Sequence, residues 1–473
     1  MLPPAFVSQM QALLGATGYA DFEAALQMLA PVSIRLKNAV RDFQHELPFE
    51  QPHRLEVPWH PLGRYLSERP VFTLDPAFHA GAYYVQEASS MFLHEALRQT
   101  TDLSRPLKVL DLCAAPGGKS TLMLDMLHPE SLLVSNEVIR ARAGTLRENL
   151  EKWGNNHIAV TSGDPADFTA LDGWFDLVVT DAPCSGEGLF RKDPDAIREW
   201  SAAGVVACAE RQQRILSHAI EAVAPGGILI YSTCTYNKQE NEQNVGQLLD
   251  TGAVELLSLN IPETWGIVRA GGGYQFFPHR VRGEGFFLAA FRKRAEPAHR
   301  HTVAASFRSL QALPKKMLPA LASWLRQPEQ LRFFQTPSAE IVAIHSNLEQ
   351  QYLQLDKHLK SKWFGTHIGT FKGQDFIPSH ALALSDLCSP ALPGIELERD
   401  PALLFLKKES FMLPEDAPRG WVLARYKGLN LGWMKVLPGR MNNYLPQERR
   451  IRMDVHGRRW TVDGGRRTVD GRR

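Results

Sequence analysis

Four apolar runs, each closed by an acid and each followed by a helix-length stretch, constrain this chain more than any other feature. Leu107–Leu112 contains Asp111, Leu132–Asn136 leads to Glu137, His157–Thr161 to Asp164, and Phe175–Thr180 to Asp181. Apolar runs of this kind read as strands buried on both faces, and their alternation with helices specifies a parallel sheet covered on both sides. Helices are expected at Ser120–Leu127, Arg140–Trp153 and Asp195–Ala224, the last stopped by Pro225-Gly226-Gly227. A fifth strand at Ile228–Ser232, a helix near Lys238–Leu249 and two strands at Val254–Leu257 and Phe286–Phe291 complete the unit. The fold class is α/β, a doubly wound, Rossmann-like sheet.

In such a sheet a ligand binds at the carboxyl ends of the strands, where the order reverses. Asp111 is followed there by Cys113-Ala114-Ala115-Pro116-Gly117-Gly118-Lys119, whose two glycines let a ligand approach the backbone. Glu137 stands 20 residues after Gly117, the spacing at which an acid bonds a ribose diol. Asp164 is then placed to meet an adenine amino group. The turn is not G-x-G-x-x-G, so a dinucleotide is disfavoured, and Gly118-Lys119-Ser120 only echoes the end of a P-loop. S-adenosylmethionine, with no phosphate to cradle, fits better. Ordinary loop acids are the bland alternative, and four successive strands each carrying one argue against it.

Two cysteines leave adjacent strands: Cys184 within Thr180-Asp-Ala-Pro-Cys-Ser-Gly, and Cys234 just past the fifth strand. Neighbouring strands lie ~4.8 Å apart, so both thiols emerge beside the cofactor site. Such a pair suits methylation of an aromatic carbon. Cytosine C5 is a poor nucleophile until a thiolate adds to C6, and a second thiol can assist the later expulsion of the first. Asp181 could grip the base edge and stabilise its N3-protonated form. Cys113, Cys208 and Cys388 read as small buried hydrophobes, the commoner fate of a free cysteine.

The 473 residues are too many for one ordinary domain. Five cysteines without a CxxC fit neither a disulfide framework nor a metal site, so no metal is expected and a reducing cytoplasm is. No apolar run reaches the ~18 residues of a membrane span, and the start lacks a signal-peptide pattern. Residues 1–70 read as a small helical appendage: Phe6, Met10, Leu13 and Leu14 share a face, Asp21 caps a helix over Phe22–Leu29, and Ser33 caps another from Ile34. Arg35, Lys37 and Arg41 would share a basic face suited to RNA, although simple packing serves as well, and a loop runs from Pro48 to Pro61. Residues 71–295 form the catalytic unit. After a charged linker beyond Arg292, residues 296–455 carry a helix at Leu318–Leu325 and short strands at Glu340–Ile344, Ala402–Leu406, Trp421–Tyr426 and Leu429–Val436, an α+β or β-barrel region. Residues 456–473 form a basic tail whose TVDGGRR and TVDGRR repeats suggest disorder.

DLCAAPGGKS (111–120), TDAPCSGEG (180–188), YSTCT (231–235), GEGFF (283–287) and QEASSM (86–91) resemble, in order, the motifs of the RsmB/NSUN family of RNA cytosine-5 methyltransferases. The resemblance covers about residues 70–292. FRKDPDA (190–196) and the C-terminal extension are similar to the bacterial branch acting on small-subunit (16S) ribosomal RNA. It implies S-adenosylmethionine held by Cys113–Lys119, Glu137, Asp164 and Asp181, with Cys234 as nucleophile and Cys184 aiding release. It also implies a PUA-like RNA-binding module in the C-terminal third, and a cytoplasmic monomer acting on ribosomal RNA, free or in the small subunit. The same chemistry on transfer RNA, or a non-catalytic assembly factor that binds RNA, are the alternatives.

Overall fold

The computed structural model describes residues 1–40, 55–294 and 305–453, together with the backbone of strands at Trp460–Asp463 and Arg466–Val469. The chain opens with one helix, α1 (Pro4–Gln27), kinked at Gly15, whose φ is 71°. Asp21 therefore lies inside this helix and caps nothing. Phe6, Met10, Tyr19 and Phe22 pack on Phe190, Tyr236 and Phe277 of the catalytic unit.

The helix expected from Ile34 is a strand, β1 (Val32–Leu36), paired antiparallel with β2 (Gly63–Leu66) and β3 (Tyr83–Val85). Val-Ser-Ile-Arg-Leu alternates with period two, and that period wins over the cap at Ser33. Ile34 and Leu36 enter an apolar core, while Ser33 donates to the Gln86 carbonyl at 2.6 Å. Arg35 is fully buried, bonded to Asp125 at 2.7 Å and to Thr121 at 2.6 Å, with its guanidinium over Trp153. The proposed basic face is thus absent at Arg35; Lys37 pairs with Asp386, and Arg41 lies outside the described residues, as do residues 48–54 of the expected loop. Two short helices, α2 (Pro76–His79) and α3 (Leu93–Thr100), lead into the central sheet.

That sheet contains β4 (Lys108–Asp111), β5 (Leu132–Asn136), β6 (Ile158–Thr161), β7 (Phe175–Asp181) and β8 (Val223–Thr233), all parallel. Between them run α4 (Gly118–Leu124), α5 (Arg140–Trp153), α6 (Pro194–Glu199) and α7 (Ala202–Ala222). The expected single helix over 195–224 breaks at Ser201, whose hydroxyl caps α7 through Gly204 N at 3.1 Å. Pro225-Gly226-Gly227 is not a stop but a kink inside β8, where the register with β7 shifts. After α8 (Glu242–Asp250) come β9 (Val254–Leu257), β10 (Val268–Ala270), β11 (Gly273–Phe276) and β12 (Phe286–Lys293), the last antiparallel to β8. The order β10-β11-β12-β8-β7-β4-β5-β6 reverses between β4 and β7. Alternate residues serve two cores: Val109, Leu133 and Leu177 face α4 and α5, while Leu110, Val134 and Val178 face α7.

The C-terminal region adds β13 (Gln311–Ala312), α9 (Pro319–Ala322), β14 (Leu331–Gln335), β15 (Glu340–His345), α10 (Glu349–His358), β16 (Lys362–Phe364), β17 (Thr366–Lys372), β18 (Asp375–Pro378) and α11 (His380–Leu384). Strand β16 pairs antiparallel with β6, covering the free edge of the central sheet. A four-stranded sheet follows from β19 (Gly394–Glu396), β20 (Gly420–Tyr426), β21 (Leu429–Leu437) and β22 (Arg440–Asn443), with α12 (Arg399–Lys407) against it. The strand expected at Ala402–Leu406 is this helix. The run has no β-branched residue, and Ala402, Leu403, Phe405 and Leu406 are all buried at helical spacing. At Leu318–Leu325 only α9 is helical. The Lys427-Gly428 turn has both φ values positive, at 49° and 76°, as a two-residue hairpin requires. Ile34, Leu36 and Tyr83 share one core with Leu403, Val422 and Met434, so the two ends of the chain pack together. In the tail, strands β23 (Trp460–Asp463) and β24 (Arg466–Val469) pair antiparallel where composition suggested disorder. The rest of that tail, and residues 295–304 of the linker, lie outside the described residues.

Candidate active site

The acids at the strand ends occupy distinct settings. Asp111 is fully buried; its Oδ2 accepts from Ser120 Oγ at 2.6 Å, and burial pushes the carboxyl up to about 7. Its Oδ1 is buried with no hydrogen-bond partner. The loop from Cys113 to Lys119 is tied to the next strand by Ala114 N donating to Asn136 O at 2.8 Å. Gly117 has φ 111°, and a Cβ there would lie 3.2 Å from Leu146, so glycine alone suits the turn. Arg142 Nη2 donates to Ala115 O at 2.9 Å, and its other terminal nitrogen lies 3.4 Å from Glu137. Glu137 is buried, and its Oε1 accepts from Ile139 N. Just past it, Val138 and Ile139 are exposed apolar side chains that sequence reasoning passed over. Asp164 caps the following turn through Ala166 N and pairs with Arg214 at 2.9 Å.

Asp181 joins this set to the thiols. It accepts from Ser232 Oγ at 2.7 Å, its register partner on β8, and from Lys119 Nζ at 2.8 Å. The Lys119 charge is therefore directed at Asp181, not at a thiol. Cys184 and Cys234 bring their Sγ atoms to 2.8 Å, and Cys234 N points at Cys184 Sγ from 3.3 Å. The hydrogen bond to Cys234 and burial together push the Cys184 thiol well above its usual range. Of the other cysteines, Cys113 lies on the loop after β4 with its thiol raised by burial, and Cys388 is buried in a separate core.

Two buried acids that sequence reasoning missed hold the thiol loops from behind. Glu187 Oε2 accepts from Thr235 Oγ1, Tyr236 N and Asn237 N at 2.7, 2.9 and 3.1 Å, gripping the residues just after Cys234. Its Oε1 accepts from Gln9 Nε2 of α1 and from Trp200 Nε1. Glu240 accepts from Ser185 N at 3.0 Å, fixing the residue after Cys184, and from Gln212 Nε2 at 2.7 Å. Glu284 pairs with Arg191 with both side chains almost wholly buried, which explains the Arg of FRKDPDA and the Glu of GEGFF. A signal was present: Glu187 and Glu284 each stand between two glycines. At Gly188 a Cβ would lie 2.5 Å from Gly285 O and 2.8 Å from Cys234 O, so the loops meet backbone to backbone.

Three stretches match family profiles: residues 100–292 match 16S rRNA methyltransferase RsmB/F, 2–88 the N-terminal domain of 16S rRNA methyltransferase RsmF, and 393–451 the methyltransferase RsmF PUA domain. Ribosomal RNA small subunit methyltransferase F of Erwinia tasmaniensis is 33% identical over 471 residues, covering 94% of this chain and 96% of that protein. The protein of the same name from Serratia proteamaculans is 38% identical over 305 residues, 62% of this chain and 63% of that protein, so this alignment spans less than two thirds of it. Among solved structures, a methyltransferase homolog protein from Pyrococcus horikoshii has a TM-score of 0.50 at 27% identity, covering 62% of this chain and 100% of its own. NSun6 from the same organism gives 0.52 at 19% identity over 62% of this chain and 99% of its own, a likeness of fold.

Proposed function

From the premise that the chain belongs to the RsmB/F family of 16S rRNA methyltransferases, we propose that it forms 5-methylcytidine in small-subunit ribosomal RNA through a covalent cysteine–cytosine adduct, using S-adenosylmethionine. The approach of two thiols to 2.8 Å beside the Lys119–Asp181 pair carries this reading. Transfer to an exocyclic amine would need no thiol at all.

The strand-end residues fit the cofactor. Asp111 Oδ1 lacks a partner and suits an ammonium group, Glu137 suits a ribose diol, and exposed Val138 and Ile139 offer apolar contact to a flat base. Bound there, S-adenosylmethionine supplies an electrophilic methyl group. Cys234, as thiolate, adds to C6 and makes C5 nucleophilic. Asp181 faces the pyrimidine edge and favours its N3-protonated form, while Lys119 keeps that carboxylate oriented. After methylation, loss of the C5 proton to water and departure of Cys234 restore the ring. Cys184, held protonated, donates to the departing sulfur. The target cytosine must be unstacked to reach the thiols. The PUA-matching module would contact RNA around it, in a cytoplasmic setting where the small subunit is assembled.

Incubation with methyl-labelled S-adenosylmethionine and small-subunit ribosomal RNA, free or in subunits, followed by nucleoside analysis, tests the reading. Label in 5-methylcytidine is expected; label only in an N-methylated base, or none in either RNA, would overturn it.

A further inference from the structure

A second concave site lies away from the thiols, where β3, α2 and α5 meet the end of the C-terminal module. It is a cavity of about 570 Å3, within the range of about 300–1,000 Å3 usual for ligand pockets. Its walls include Phe72, Phe78 and Tyr84, two cations, Arg69 and Lys152, and the amide of Asn149, with no acid among them. Lys152 Nζ stands 4.0 Å over the Phe78 ring, and the Arg69 guanidinium 5.7 Å over Phe72. Among the described residues neither cation is in a salt bridge. Burial and the nearby Arg449 draw the Lys152 ammonium down to about 8, against the opposite pull of Glu148.

The cavity also touches the cofactor loop. Pro116 O accepts from Asn149 Nδ2 at 2.8 Å and from Tyr84 Oη at 3.3 Å, and a Cβ on Gly118 would lie 3.4 Å from the Tyr84 ring. One wall of the cavity is thus also the outer support of the loop that closes on the cofactor.

We propose that this cavity holds an unpaired nucleotide of the substrate RNA outside the target base, an inference that rests on the reading of the chain as an RNA methyltransferase. The base lies against Tyr84 and Phe78, and a flanking phosphate sits between Arg69 and Lys152. Aromatic faces take any unstacked base, and two cations outside any salt bridge, in a wall that carries no acid, suit a phosphodiester. Binding there presses on Tyr84 and Asn149 and so steadies Pro116 and the loop beyond it.

The test uses the full chain and a small-subunit ribosomal RNA transcript containing 4-thiouridine. Irradiation should join the RNA to peptides carrying residues 69–85 or 140–153; adducts confined to other peptides overturn the proposal. In parallel, the Arg69→Glu, Lys152→Met double variant should bind this RNA about tenfold more weakly, with the salt slope of log Kd reduced by about one to two. Unchanged S-adenosylmethionine binding would show that the variant is folded, and an unchanged salt slope would sink the inference. If uridine monophosphate alone blocks the crosslinks at micromolar concentration, the site is one for free nucleotides and the RNA proposal falls. A parent chain that crosslinks at the cavity but methylates no RNA would refute the proposed function while leaving the cavity assignment standing.

Discussion

Cys184 Sγ lies 2.8 Å from Cys234 Sγ, although the two residues are fifty positions apart and leave different strands. Parallel pairing of β7 with β8, with Asp181 opposite Ser232, sets this approach, and Glu187 and Glu240 fix the two loops. Because the Cys184 thiol is held protonated, its loss should act on release and not on attack. Cys184→Ala should accumulate a covalent protein–RNA adduct, seen as a retarded band on a denaturing gel. Cys234→Ala should form none and lose methyl transfer by a factor of about 10⁴ or more, while still binding S-adenosylmethionine. An adduct in the Cys234 variant would reverse the two roles.

Glu187 should behave as a positioning residue. Replacing it with Gln puts an NH2 against donors that one carboxylate now satisfies, Thr235 Oγ1 and two backbone N–H groups among them. The expected cost is about 1–3 kcal/mol of stability, together with a fall in kcat that exceeds any change in KM for S-adenosylmethionine. Denaturant unfolding and steady-state kinetics on the same variant measure both. A variant that unfolds earlier but keeps the parent kcat at low temperature would reduce Glu187 to a structural role.

The central sheet was legible because its strands are apolar runs closed by acids, so that period, length and chemistry agree. Its catalytic loops were legible as motifs, but their buttresses were not. Glu187 and Glu240 act through backbone groups far away in sequence; flanking glycines are the one local mark on Glu187, and Glu240 has none. Arg35 misled for the related reason that a cation on an alternating strand points inward here, where Asp125 and Thr121 receive it. Ala402–Leu406 misled because five apolar residues are too few to separate a strand from a helix. The core shared by Ile34 and Leu403 depends on contacts that no local pattern encodes.

That shared core gives a test of how the ends of the chain cooperate. Leu403 is fully buried on α12 among Ile34, Leu36 and Tyr83 of the N-terminal sheet. Leu403→Ala should cost about 2–5 kcal/mol. It should also speed amide exchange at Ile34 and Leu36 as well as along β20. Faster exchange confined to the C-terminal sheet would show that the N-terminal strands stand independently.

Asp111 should make both stability and cofactor affinity depend on pH. Its carboxyl is raised from 3.8 to about 7 in the folded chain, chiefly by burial. A folded value above the unfolded one means that the folded chain keeps a proton the unfolded chain has released. Holding Asp111 ionised therefore costs stability progressively as pH rises from about 4 to about 7, and the cost is complete above that. Asp111→Asn removes the charge, so its Tm relative to the parent should climb between about pH 4 and about pH 7 and then level off, measured by differential scanning fluorimetry. The cofactor ammonium favours the ionised form, so parent affinity for S-adenosylmethionine should fall by up to about tenfold per unit as pH drops below about 7. In the variant that dependence should flatten while affinity at high pH drops. Parallel pH profiles for parent and variant, in both stability and binding, would mean that Asp111 does not titrate in this range and faces no cation in the complex.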